Sequence, residues 1–238
     1  MSETFRLGEI KIELSRKAIK HAHLSVYPPN GRVTLVAPLR TRLEVARAFA
    51  ATKLGWIRKH QAQLREQARE APRLYIERES HFLWGRQHLL SVRYSDSKPA
   101  VTLSHRKITL TVRPGSDPSK RSEVLHEWHR SLLHGIIPVI IERWQPKLGV
   151  RVAGYFLQRM KTKWGSSNHR AGHIRLNTEL VKKPKDLIEY VIVHEMIHLL
   201  EPTHSERFLS LLTKHYPPWR EARAELNRLP LATEKWAE

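Results

Sequence analysis

Four residues in the last quarter of the chain have the types and spacing for metal chemistry: His194, Glu195, His198 and His204. Helical residues four apart share a face about one turn apart, so His194 and His198 can aim two imidazole nitrogens at one point. Zinc takes such nitrogens at ~2.0–2.1 Å in a tetrahedral array. Glu195 stands three residues before His198, beside that face, where a carboxylate can take a proton from activated water. His204 follows ten residues after His194. The pattern predicts a hydrolytic centre with Zn2+ as cofactor, with His194, His198 and His204 as metal ligands and Glu195 as general base.

A short His-Glu-x-x-His pattern also arises by chance in a histidine-rich chain, so its surroundings matter. Leu187, Ile188, Tyr190, Val191, Ile192, Val193, Met196, Ile197, Leu199 and Leu200 make the helix apolar nearly all round, the mark of a buried central helix. Ionisable side chains inside such a helix are costly unless paired or bound to a metal. Pro202 should end the helix. Thr203 with Glu206 fits a capping box that would place His204 at the start of the next helix. Glu221 and Glu225, on a helix expected after Pro217-Pro218, are rivals for the third ligand position; His204 is preferred because the turn is close. The histidine spacing equals that of metzincins, but Glu201 stands where their glycine would be and no methionine follows Met196, so the chain is not read as one. An oxyanion donor is sought among Tyr190, Asn177, His215 and Tyr216. A strand over 174–177 is expected to offer an edge to an extended peptide. His126, His129 and His134 read as surface or interface residues on another helix, not a second metal site.

The elements that must position these residues follow from period and punctuation. Strands are expected over 11–14, 24–27 and 32–37, the last two joined by a turn at Pro28-Pro29-Asn30-Gly31. One long helix should start at Thr41, capped with Glu44, and carry Leu43, Ala46, Phe49, Ala50, Ile57 and Leu64 on one face and Arg47, Lys53, Arg58, Lys59 and Arg65 on the other. Strands return over 82–84, 89–94, 100–103 and 107–112. Asp117-Pro118 marks a helix start. That helix should run to about Trp144, with Pro138 kinking or splitting it. No internal repeat is visible. The fold class is α+β: a β-rich N-terminal region with one long helix over 1–117, then a compact domain over 118–238 built on the central His-Glu-x-x-His helix.

Composition bounds the rest. The 238 residues are 40% hydrophobic and 27% charged, as in an ordinary globular chain. No apolar run approaches the ~18 residues of a membrane span, and no secretory signal is visible, so a cytoplasmic location is expected. With no cysteine, any metal site must use histidine and carboxylate. The net charge of +19 makes nucleic acid or another polyanion a candidate partner. A basic nucleic-acid-associated protein with an auxiliary or structural zinc site is therefore the alternative reading. Nine Lys and Arg against the single acid Glu179 lie between Arg151 and Lys185, which suggests polyanion docking or acidic substrates.

The segment from Met160 to Phe208 resembles the YgjP-like metallopeptidase family, related to the SprT-like and WLM metallopeptidases. The likeness is carried by Lys161, Lys163-Trp164-Gly165-Ser166-Ser167, Gly172-His173-Ile174-Arg175-Leu176-Asn177, Leu180, Pro184, the run from Tyr190 to His198, His204-Ser205 and Phe208. Pro217-Pro218-Trp219 and the Trp56-Ile57-Arg58-Lys59 stretch add to it. The resemblance implies a compact zincin-like catalytic domain, zinc at His194, His198 and His204, Glu195 as the catalytic residue, and a peptide or protein substrate. Ser167 stands where family members often have cysteine and Leu209 where many have tryptophan; neither change touches the metal set.

Overall fold

The computed structural model describes residues 2–27, 30–66, 73–160 and 163–228. They fall into two compact units, one within Met1–Glu70 and one within Ala71–Leu229. The boundary expected at 117/118 lies inside the second unit. The chain is α+β, with its N-terminal part rich in strands and its C-terminal part in helices.

In the first unit, β1 (Ser2–Leu7), β2 (Ile10–Lys17), β3 (His23–Tyr27) and β4 (Arg32–Pro38) form a sheet in the order β1-β2-β4-β3. The central β2–β4 pair is parallel and both outer pairs are antiparallel. Strict alternation buries Ile12, Leu14, Val33, Leu35 and Ala37 on one face, as the two-residue pleat requires. That face packs with Ala46, Ala50 and Ile57 of two helices, α1 (Leu43–Thr52) and α2 (Leu54–Glu66). The single helix expected from Thr41 is thus two. Lys53 at φ −102 and ψ 7 interrupts it. Thr52 Oγ1 donates to the Phe49 carbonyl at 2.7 Å, and Gly55 follows; both residues weaken a helix interior. The Thr41–Glu44 box does not form, because Arg42 is the N-cap and no side chain caps the helix. Pro28, Pro29 and the Leu64 and Arg65 side chains lie outside what is described.

The second unit begins with β5 (Ser80–Leu83), β6 (Arg86–Tyr94), β7 (Ala100–Ser104) and β8 (Lys107–Val112), ordered β5-β6-β8-β7. Again the central pair is parallel and the outer pairs are antiparallel. The two sheets therefore share one topology, although the sequence reading finds no repeat. What recurs is the order of hairpins and the pleat, not residue identities.

Next comes α3 (Pro118–Leu148), capped by Asp117, whose carboxylate accepts from Lys120 N–H at 2.7 Å. It runs past Trp144 to Leu148 and stops at Gly149, φ 65. Pro138 does not split it. Proline removes one intrahelical donor, but Leu133, Ile137, Ile140 and Ile141 are buried around it and hold both halves in the core. The remaining elements are β9 (Gly154–Gln158), β10 (Gly165–Asn168), β11 (His173–Asn177), a 3-10 helix (Thr178–Lys182), α4 (Lys185–Ile197), α5 (Glu206–His215) and α6 (Trp219–Arg228). The third sheet runs β10-β11-β9.

The apolar surround of α4 is real: Leu187, Ile188, Ile192, Val193, Met196 and Ile197 are excluded from solvent. They share one core with Ile137 and Trp144 of α3, Ile174 and Leu176 of β11, Phe208 of α5 and Trp219 of α6. The helix that carries the motif is therefore clamped on several sides. A rigid carrier suits a site that must hold several side chains at fixed separations. No described helix is long and apolar enough to cross a membrane.

Candidate metal centre

Helix α4 ends as His198 becomes its C-cap, and a turn carries the chain on to His204. The expected Thr203–Glu206 box is replaced. Ser205 is the N-cap of α5, accepting from Phe208 N–H at 3.3 Å, while Thr203 Oγ1 donates to Glu201 Oε1 at 2.9 Å. His204 thus sits one residue before the cap. It still reaches the other two histidines: its Nε2 lies 3.1 Å from His194 Nε2 and 3.2 Å from His198 Nε2. Among the described residues, these three form the one cluster whose ligand atoms all lie within 4.8 Å of each other. Glu221 and Glu225 stand outside it.

Several features hold the rings in this arrangement. The Nδ1–H of His198 donates to the Glu201 carbonyl at 3.0 Å, which fixes the tautomer and leaves Nε2 with its lone pair. The Phe208 ring backs all three imidazoles, with centroids 4.9, 4.4 and 4.9 Å from His194, His198 and His204. Phe208 sits three residues after its cap, one turn into α5, so the same turn that presents His204 presents its support. Burial, then the neighbouring histidines, lowers His194 to about 3. Burial also lowers His198 and His204. All three are neutral at neutral pH, the form that donates to a metal.

Glu195 is buried, and its Oε2 has no hydrogen-bond partner among the described residues. Its carboxylate lies against Gly165 of β10, where a Cβ would stand 2.6 Å from Oε1. Desolvation raises Glu195 to about 8, against the pull of Lys163 and a hydrogen bond from Ser167. Gly165 and Ser167 are two apart in a strand and therefore face the same side. So one face of β10 holds the carboxylate that α4 projects.

The site opens into a cleft of about 650 Å3, lined by β10, α4, the apolar Phe208, Leu209 and Leu212 of α5, and Trp219, Arg223, Leu226 and Asn227 of α6. Here one expectation is overturned. The strand over 174–177 belongs to β11, which pairs with β10 on one side and β9 on the other, so it has no free edge. The free edge on the cleft side is β10. Its sequence, Gly-Ser-Ser-Asn, lacks the branched and aromatic residues that mark strands, and for that reason no strand was expected there.

Of the four oxyanion candidates, only Tyr190 lines the cleft. Its ring lies edge-on to His194 at 5.9 Å. Asn177 is committed elsewhere: its Nδ2 donates to the Met160 and Lys163 carbonyls at 2.9 Å each. Tyr216 donates its hydroxyl to the Asp186 carbonyl at 3.1 Å. Lys161 lies outside the described residues.

The other histidines separate. His129, expected at a surface, is buried on the core side of α3, and its Nε2 has no partner among the described residues. Its i,i+4 companion Leu133 is core, which is the signal that could have placed it. His126 Nδ1 accepts from Arg159 Nε at 3.3 Å. His134 is exposed, with Nδ1 2.8 Å from the Tyr155 hydroxyl. His81 of β5 is also buried, 3.6 Å from the Glu79 carboxylate.

Residues 21–229 match the family described as YgjP-like, metallopeptidase domain. Two solved structures are similar to part of the chain. One is the metallopeptidase zymogen of Pyrococcus abyssi abylysin, 20% identical over 40% of this chain and 99% of its own, with a TM-score of 0.35. The other is the metallopeptidase zymogen of Methanocaldococcus jannaschii jannalysin, 23% identical over 38% of this chain and 92% of its own, with a TM-score of 0.34. No curated protein matches the chain.

Proposed function

The chain belongs to the YgjP-like metallopeptidase family, and we propose that His194, His198 and His204 hold a zinc ion beside which Glu195 serves as general base in peptide-bond hydrolysis. The observation that carries this reading is the convergence of three Nε2 atoms, two pairs of them 3.1 and 3.2 Å apart, with a buried carboxylate, Glu195, on the helix that brings His194 and His198 to the cluster. In a tetrahedral site with metal–nitrogen bonds of ~2.0–2.1 Å, ligand atoms stand about 3.3 Å apart, so the donor set fits. Three neutral imidazoles and no thiolate suit zinc. Zinc, when bound, supplies a Lewis acid that polarises water and the scissile carbonyl.

The chain's own residues have distinct tasks. Glu195 accepts a proton from the attacking water and returns it to the leaving nitrogen; a conjugate acid near neutrality can do both. Gly165 leaves room for that carboxylate, and Ser167 orients it. The free edge of β10 pairs with the backbone of an extended substrate. Tyr190 donates its hydroxyl to the developing oxyanion.

Elemental analysis and peptide hydrolysis of three proteins test the proposal. The wild type should carry one zinc per chain and cleave an unstructured protein such as casein. His198→Ala should lose the metal. Glu195→Gln should keep it and lose activity by a factor on the order of 10²–10⁴. A Glu195→Gln variant as active as the wild type would end the general-base assignment. Wild-type protein that fails to retain zinc at stoichiometric supply would end the metal assignment.

A further inference from the structure

The cleft carries more positive charge than hydrolysis requires. Among its lining residues Glu195 is the one carboxylate, while Lys163 and Arg223 are cations. Lys163 acts electrostatically on Glu195. Arg223 acts on His194, His204 and Tyr190. Arg223 is exposed on α6, four residues after the buried Trp219 and four before Asn227, and all three line the cleft. Neither Lys163 nor Arg223 has a carboxylate within ion-pair distance among the described residues. Some surface arginines of this chain do pair, among them Arg143 with Glu189 at 2.7 Å, Arg130 with Glu127 at 3.1 Å and Arg16 with Glu3 at 3.0 Å; what sets Arg223 apart is that it lines the cleft. A guanidinium with no carboxylate partner among the described residues, lining a cleft, presents a planar fork suited to one from outside.

We propose that the cleft selects peptides bearing an acidic side chain close to the scissile bond, with Arg223 as the specificity-determining residue. The inference rests on the cleft being the substrate site of the hydrolase proposed above. It accounts for a cation that the reaction itself does not use. The charge is also placed to matter: Arg223 is exposed, but a cleft lined by cations and one carboxylate focuses its field on a substrate, an effect that salt screens.

Binding and turnover test it separately. The full chain with Glu195→Gln binds without cleaving, and Trp164 and Trp219, both in the cleft, report binding by fluorescence. The probes are three Ala-rich hexapeptides identical except for a central Glu, Gln or Lys. At low salt the Glu peptide should bind about tenfold tighter than its Gln twin and the Lys peptide weakest, with the differences shrinking as salt rises. Adding Arg223→Glu should reverse the order. Adding Arg58→Glu instead, in the other compact unit, makes the same change in net charge and should preserve it. Equal binding of the Glu and Gln peptides, no binding of any, or an order that Arg223→Glu leaves intact overturns the proposal. In turnover, Arg223→Glu in the otherwise wild-type chain should raise KM for the Glu peptide selectively. A fall in kcat of equal size for all three would make Arg223 an oxyanion donor and overturn it too. If the binding order holds but wild-type protein cleaves none of the peptides or casein, the hydrolase reading fails while the acid-selective cleft stands.

Discussion

Gly165 and Glu195 are packed so closely that a β-carbon on the glycine would stand 2.6 Å from Oε1 and 2.7 Å from Cγ of the glutamate. Gly165 has no positive φ, so backbone freedom is not why glycine is needed; space for the carboxylate is. Gly165→Ala should therefore push Glu195 aside rather than unfold the domain, because the obstructed atoms end a flexible side chain. Hydrolysis should fall by a factor on the order of 10² while zinc content and thermal midpoint stay near wild type. A fully active Gly165→Ala protein would contradict this placement of the base.

The helix with the motif was legible because two signals coincide there. An all-round apolar helix implies burial, and ionisable residues at i, i+1 and i+4 within it need a reason. The Asp117-Pro118 start of α3 was legible through capping chemistry, which is local. Less was visible where tertiary contact decides. β10 is four small polar residues that become a strand only because β11 pairs with them. Ser205 rather than Thr203 caps α5, and the two positions look alike in sequence. The break at Lys53 coincides with a side-chain hydrogen bond from Thr52, and the apolar period reads straight through it. The shared topology of the first two sheets leaves no residue-level trace.

Asn177 ties the strand edge to the core. Its buried amide donates to the Met160 and Lys163 carbonyls at 2.9 Å each and accepts from Glu179 N–H at 3.1 Å. Asn177→Ala strands two carbonyls and two backbone donors, the second being Met160 N–H at 3.4 Å from Oδ1, which should cost about 1–3 kcal/mol for each that finds no water. The loss should be read by urea unfolding. Activity should fall with it, because the chain from Lys163 leads directly into Gly165. Unchanged stability would mean that the loop holds itself in place.

Tyr190 sits one helical turn before His194 on α4, edge-on to its ring at 5.9 Å. Desolvation keeps the hydroxyl protonated, with its pKa raised above the usual value, so it remains a donor through neutral and mildly alkaline pH. Tyr190→Phe should lower kcat by a factor on the order of 10² with little change in KM or zinc content. A change confined to KM would instead place the ring in substrate binding.

Away from the His194–His198–His204 cluster, three histidines should make the fold acid-sensitive. Burial, the first cause in each case, holds His81 and His126 at about 4 and His129 well below 6.5. They are neutral in the folded chain at pH 5, whereas the same residues take up protons in the unfolded chain below about 6.5. The unfolded state then binds more protons, so stability rises with pH across this window. Their contribution is fully present above pH 6.5 and is lost as pH falls toward 4. His129→Leu removes a buried imidazole whose Nε2 has no partner among the described residues. Urea midpoints compared at pH 7.5, 6 and 5 should drop less steeply in the variant than in the wild type. Because the substitution leaves His194, His198 and His204 in place, any flattening reports on His129 and its neighbours. An unchanged slope would mean that the ring is already protonated inside the fold, with a counter-charge that its surroundings must then supply.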